Sequence, residues 1–173
     1  MTEPLVGFSC SADLGKIILR GLKEVMGPME MTGVIHTARL PWADTSSLAG
    51  RIPYAHIGAL QRSLVERYGE RGGSGVALRS GRASCKYGLR QFAPQLGIMD
   101  LTFRLLPPRT RLALGVQKLA QTLNTLGDYT STVTENGDTL LWSVERCPIC
   151  YGHKSDSPIC YHTVGFLQEF TSY

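Results

Sequence analysis

The chain has 173 residues, with 18 Lys and Arg against 14 Asp and Glu, a net charge of +4, and 43% hydrophobic but only 18% charged residues. That balance is too apolar for a disordered chain and too poor in charge for a long coiled coil, and 19 glycines without a period exclude collagen. The mild basicity permits anionic partners without demanding nucleic acid, and the length suits a single domain over 1–173 with a core of its own.

The N-terminus, Met1-Thr2-Glu3-Pro4, lacks the basic and apolar regions of a secretory signal, and no apolar run reaches membrane-spanning length. A cytoplasmic protein without a membrane partner is therefore expected. The first predicted helix covers 13–26. Leu14, Ile17, Ile18, Leu22, Val25 and Met26 share a face, Ser11 or Asp13 caps its start, and Gly27-Pro28 is expected to end it. A connection over 39–53 carries Trp42, expected to pack back on the body. The second helix covers 54–68, with Ile57, Leu60, Leu64 and Tyr68 as its stripe and Gly69 as its stop. The glycine-rich stretch 70–75 reads as a flexible joint, because it lacks the full spacing and the Lys-Ser/Thr of a phosphate loop.

The third predicted helix, 76–92, has three faces at 100° per residue. Arg79, Arg82, Lys86 and Arg90 make a basic face, which reads as solvated. Ala77, Gly81, Ser84 and Gly88 make a face of small residues. Leu78, Cys85, Leu89 and Phe92 lie between. Two interior glycines weaken a helix by about 1 kcal/mol each, so close packing or the approach of a flat ligand must compensate. A short extended stretch over 101–106 precedes a fourth helix, 109–126, whose stripe is Leu112, Val116, Leu119, Leu123 and Leu126. Tyr129 to Thr134 and Thr139 to Glu145 then read as strands around an Asn136-Gly137 turn. A last helix over 161–170 should turn Val164, Leu167 and Phe170 inward. Helices packed on a small antiparallel sheet of at least one hairpin, with a C-terminal helix, make the expected class α+β.

Five cysteines are present, and Cys147, Cys150 and Cys160 crowd into one short segment. An odd, clustered set argues against a secreted disulfide framework and for metal ligands or redox groups. Cys147 and Cys150 have the spacing at which two thiolates face one ion, and a ten-residue step to Cys160 allows a third. His153, His162 or Asp156 is expected to complete the zinc site. A redox pair and ordinary thiols remain alternatives. Cys85 reads as a small core residue, and Cys10 has no evident partner. No nucleophile, general base or dinucleotide motif is recognisable, so an enzyme is the less favoured reading and no catalytic residue is assigned.

Cys147-Pro148-Ile149-Cys150-Tyr151-Gly152 and the stretch from Ser155 through Cys160-Tyr161-His162 to Gly165-Phe166-Leu167-Gln168-Glu169 resemble the vinyl-reductase-type domain. That family of small-molecule-binding domains includes sensor modules of phenol-responsive bacterial activators and a protein tied to vinyl reduction in bacteriochlorophyll synthesis. Its fold is similar to that of the TRAPP tethering subunits. The resemblance implies a pocket between helices and sheet, and a zinc site that includes Cys160. In the family two further strands with more cysteines follow this last helix, whereas this chain stops at Tyr173. Either Cys147 and Cys150 replace those ligands, or the site is incomplete, or the chain is a truncated product. The missing strands predict an open sheet edge suited to a homodimer or a partner chain.

The leading expectation is thus a sensor or binding domain for a small hydrophobic or aromatic molecule, with Tyr129, Trp142, Leu119 and Phe166 on the pocket wall and a structural zinc. The alternatives are an accessory factor or reductase in tetrapyrrole vinyl reduction, and an interaction or scaffold subunit.

Overall fold

The computed structural model describes residues 7–42, 45–98, 100–155 and 157–172. The N-terminal reading over Met1 to Pro4 and the candidate ligand Asp156 lie outside them. The elements run β1 (Ser9–Ser11), α1 (Ala12–Thr37), β2 (Arg51–Pro53), α2 (Tyr54–Leu96), α3 (Leu101–Arg104), α4 (Pro108–Asn124), β3 (Thr130–Asn136), β4 (Thr139–Glu145) and α5 (Tyr161–Thr171), an α+β arrangement.

Ser11 caps α1, its hydroxyl accepting from the Leu14 N–H at 3.3 Å, which satisfies one of the otherwise unpaired donors of the first turn. Gly27-Pro28 does not end the helix as expected. Gly27 leaves the helical path at φ 82°, and Pro28 restarts it at a position where its missing N–H costs nothing, so the helix kinks and continues to Thr37. Gly69 (φ 69°) makes the same kind of break in α2. The stretch 70–75 that follows is helical rather than a flexible joint. Gly73 there is a close-approach residue, since a Cβ on it would lie 2.8 Å from the Leu64 carbonyl group. The stretch expected to be extended over 101–106 instead forms the single turn of α3.

α2 packs against α1 and, in its second half, against α5. The small-residue face makes this possible. Ala77, Gly81, Ser84 and Gly88 are all buried, while Arg79, Arg82, Lys86 and Arg90 are exposed. A Cβ on Gly21 of α1 would strike the Ser84 hydroxyl and the Ser80 carbonyl, and one on Gly165 of α5 would strike the Leu78 carbonyl. Close helix packing therefore accounts for this face. Val164 (44% exposed) and Leu112 (39% exposed) do not face inward as expected. α5 turns His162, Gly165 and Phe170 to the body, and at 100° per residue Val164 lies well away from that line.

β1 and β2 form a small antiparallel pair from Ser9↔Pro53 to Ser11↔Arg51 that the sequence pattern does not reveal, since three residues are too few for alternation. Cys10 is wholly buried within it. Asp128 fastens the pair to the turn after α4, accepting from the Ser9 N–H at 2.8 Å and pairing with Arg51 at 2.7 Å. β3 and β4 form the expected hairpin, in register from Thr130↔Glu145 to Asn136↔Thr139, with Gly137 at φ 58° in the turn. Asn124 at the end of α4 holds it: the Asn124 Nδ2 donates to the Ser131 carbonyl at 3.0 Å and its Oδ1 accepts from the Ser131 N–H at 2.6 Å. One buried cluster, with Leu14, Trp42, Ile57 and Leu60, lies where α1 meets the first half of α2. A second, with Ile17, Cys85, Phe92, Leu119 and Phe170, joins the rest of α2 to α4 and α5. Among the described residues no helix is long and apolar enough to cross a membrane.

Candidate metal centre and apolar cleft

The hairpin ends in a cysteine-bearing turn. Arg146 takes a left-handed conformation (φ 58°) just past β4, Gly152 does so (φ 74°) after the turn, and Cys160 stands immediately before α5. The sulfurs of Cys147, Cys150 and Cys160 lie within 4.8 Å of one another. Cys147 Sγ is 4.0 Å from Cys160 Sγ, close to the ~3.8 Å between two thiolates on one tetrahedral zinc with Zn–S near 2.3 Å. Cys150 and Cys160 are at disulfide-bonding distance, their Cα atoms 6.3 Å apart. Burial pushes the Cys147 thiol up. The nearby N–H groups of Cys150 and Ile149 and the Thr163 hydroxyl act in the opposite direction. The three sulfurs are a soft, close donor set that could hold a metal, with Cys147 and Cys160 near the spacing of two zinc ligands and Cys150 and Cys160 closer than that.

The two histidines expected beside it are engaged elsewhere. His153 Nε2 is 3.1 Å from the Gly58 carbonyl of α2, which makes it a donor there. His162 Nε2 is 3.1 Å from Ser84 Oγ, and Ser84 in turn donates to the Ile17 carbonyl at 3.3 Å. A serine that gives its proton to Ile17 accepts from His162, so the imidazole carries its proton on Nε2. Burial pushes this imidazole down to about 4, and it is neutral. His162 therefore links α5, α2 and α1, and among the described residues the metal-ligating cluster consists of the three cysteines alone. Cys10 and Cys85 are buried, their thiols pushed up to about 12 by desolvation, and both are core residues.

A narrow cleft of about 70 Å³ adjoins this centre. α1 lines it with Leu14, Ile17 and Ile18, and α4 with Leu123. The hairpin region contributes Tyr129, Ser131, Trp142 and Val144, the cysteine turn Cys147, Pro148 and Ile149, and α5 His162, Thr163, Phe166 and Leu167. A smaller void of about 10 Å³ shares Leu14, Ile17, Leu123 and Phe166 with it and reaches Leu119 and Phe92. The four expected wall residues thus converge: Tyr129 and Trp142 on the cleft, Leu119 on the void, Phe166 on both. The wall is mostly apolar, with Tyr129, His162 and Thr163 as its larger polar residues, and two of its residues, Trp142 and Ser131, carry buried polar atoms (Nε1 and Oγ) without a hydrogen-bond partner. Sequence reasoning missed Ser131 and Val144. Their signal is the two-residue alternation of a strand, which puts Ser131 on the face of Tyr129 and Val144 on that of Trp142. Thr163 gives no such signal.

A larger hollow, about 730 Å³, lies between the first half of α2 and 153–161, but it is broad and its wall is charged, with Arg62, Arg71 and Lys154 beside Glu66 and Glu70. Its size exceeds that of the cleft, while its chemistry is that of a solvated surface. Compared with family models, with curated proteins and with solved structures, the chain matches none of them.

Proposed function

We propose that this chain is a binding or sensor module for a small apolar or aromatic molecule, held in the cleft between α1, α4, the β3–β4 hairpin and α5. In this reading zinc is bound by Cys147, Cys150 and Cys160 and ties the end of the hairpin to the start of α5. The observation that carries the reading is the pair of unsatisfied polar atoms in an apolar wall. A buried polar group without a partner costs about 1–3 kcal/mol, and a ligand with one oxygen or nitrogen on an apolar body would relieve that cost once opening of the cleft exposes Trp142 Nε1 or Ser131 Oγ. The volume sets the scale. About 70 Å³ is well below the ~150 Å³ of a dry cavity that takes benzene, so even a single ring requires the hairpin or α5 to move outward. When bound, zinc would balance most of the charge of the three thiolates and crosslink the hairpin end to α5 at the cleft's end, and the chain's own residues supply the wall. A catalytic reading is weaker, because among the described residues the titratable groups of the cleft wall (Tyr129, Cys147 and neutral His162) form no hydrogen-bonded acid–base pair with one another.

A second reading is favoured by one feature. Among the described residues β4 pairs only with β3, and Leu141 on it is 58% exposed. That edge suits a partner strand, as an interaction subunit or homodimer would need. Native mass spectrometry of the purified chain tests both readings. A bound apolar ligand or uptake of an added one, with one metal per chain, is expected for the module. Dimers without ligand uptake favour the interaction subunit, and a ligand-free chain that takes up no apolar probe overturns the first reading.

A further inference from the structure

We infer that the cysteine centre is a site of reversible oxidation, in which a Cys150–Cys160 disulfide and a bound metal are alternative states of the same three sulfurs. The inference rests on the metal part of the reading above. Its basis is geometric. Cys150 and Cys160 have Cα atoms 6.3 Å apart, inside the ~4.4–6.8 Å span that a disulfide requires. The same pair lies with Cys147 in a cluster tight enough for one ion. A sulfur in a disulfide has lost its negative charge and is no longer a thiolate donor. Oxidation therefore removes two of the three ligands and leaves Cys147 as a single thiolate donor.

The oxidant is a low-molecular-weight disulfide. The sulfur of Cys150 or Cys160 attacks it, the small S–S bond breaks, and one small thiolate leaves. The second protein sulfur then attacks the mixed disulfide, the Cys150–Cys160 bond forms, and the second small thiolate leaves. Two electrons pass from the protein sulfurs to the small disulfide, and the metal cation is freed. A small dithiol with added zinc reverses the sequence. Three features make the event selective. All three centre sulfurs belong to partly exposed residues, whereas Cys10 and Cys85 are wholly buried. Cys147 stands 4.0 Å from Cys160 and its sulfur is already hydrogen-bonded. The site also joins β4 to α5 on the wall of the apolar cleft, so metal loss acts on the element that the proposed ligand must displace.

The test uses the whole chain, reduced, loaded with zinc and freed of excess metal, then exposed to oxidised glutathione under native conditions. Zinc release is followed with a chromogenic chelator, free thiols are counted, and disulfides are mapped by peptide mass spectrometry. The expected result is loss of two of the five thiols, a mapped Cys150–Cys160 bond, one zinc released for each bond formed, and return of both thiols and zinc on reduction. Cys150→Ser, checked for folding by circular dichroism, should lose this bond and leave Cys10 and Cys85 unoxidised. Zinc retained while the bond forms overturns the alternation alone. A reduced chain that holds no metal but still forms the bond overturns the metal reading with it. Five thiols that survive while a control dithiol peptide is oxidised overturn the oxidation site.

Discussion

Gly81 of α2 lies against the carbonyl oxygen of His162, so closely that a Cβ on the glycine would fall onto that oxygen. The same approach brings the His162 ring to Ser84, one turn further along α2, and thereby sets the position of α5 and of the centre and cleft at its start. Gly81→Leu should overpack this contact and lower stability by roughly 1–3 kcal/mol, read as a fall in the urea midpoint. Gly75, whose nearest neighbour is the tip of Arg79 at 3.5 Å, is the matched control. Gly75→Ala should be neutral or stabilising by up to about 1 kcal/mol. Equal midpoints for Gly81→Leu and the parent chain would mean that α5 does not pack there.

The contrast between these two glycines shows what the sequence made legible and what it did not. The 100° periodicity of Leu, Ile and Val marks the buried stripes of α1 and α2, and Asn136-Gly137 marks the hairpin, because both signals are local. Gly27-Pro28 and Gly69 are also visible, but a stop and a kink share the same chemistry, and only the packing that receives the next turns decides between them. Cys147, Cys150 and Cys160 are legible as a cluster because they are close in the chain. The roles of His153 and His162 are not, since their partners Gly58 and Ser84 lie 95 and 78 residues away. The β1–β2 pair is hidden because strands of three residues are too short to show alternation.

The Asp128 carboxyl is held below its ordinary value of 3.8, first by the Ser9 N–H and further by Arg51. A carboxyl whose folded value is depressed contributes stability that is present above its unfolded value and is lost as pH falls through the folded one. The contribution is therefore full at neutral pH and disappears below 3.8. Asp128→Asn removes the charge at every pH. Thermal midpoints measured from neutral pH downward should show the variant less stable at neutral pH, with the gap closing in acid. Salt should narrow it as well, because the group is exposed. A gap that stays constant to the acid end would assign the effect to something other than this carboxylate.

Metal content offers a direct check on the three thiols. The reduced chain, purified without chelator, should carry one zinc, and both Cys147→Ser and Cys160→Ser should reduce it to background by elemental analysis. Removing zinc with a chelator should lower the melting temperature, since a metal that binds only the folded chain stabilises it by mass action. The loss should be greatest for reporters on α5 and β4, which the site joins. A metal-free parent chain counts against the site, and so does a Cys147→Ser variant that keeps its zinc.

The cleft can be blocked from the hairpin side. Val144 stands directly across the ladder from Ser131, and both line the cleft. Val144→Phe adds a ring to a space of about 70 Å³ that has no room for both it and a ligand. Only two tryptophans are present, and Trp42 is buried but does not line the cleft, so a Trp42→Phe background leaves Trp142 as the reporter on the cleft wall. Titration with a naphthol, an apolar ring with one hydroxyl, should shift Trp142 fluorescence in a saturable way. Val144→Phe should weaken that binding about tenfold or more, equivalent to about 1.4 kcal/mol, while circular dichroism stays unchanged. A second variant, Leu141→Ser, alters an exposed residue of the same strand outside the cleft wall and should bind as the parent does. If Val144→Phe folds and binds the naphthol as tightly as the parent, the ligand does not enter this cleft.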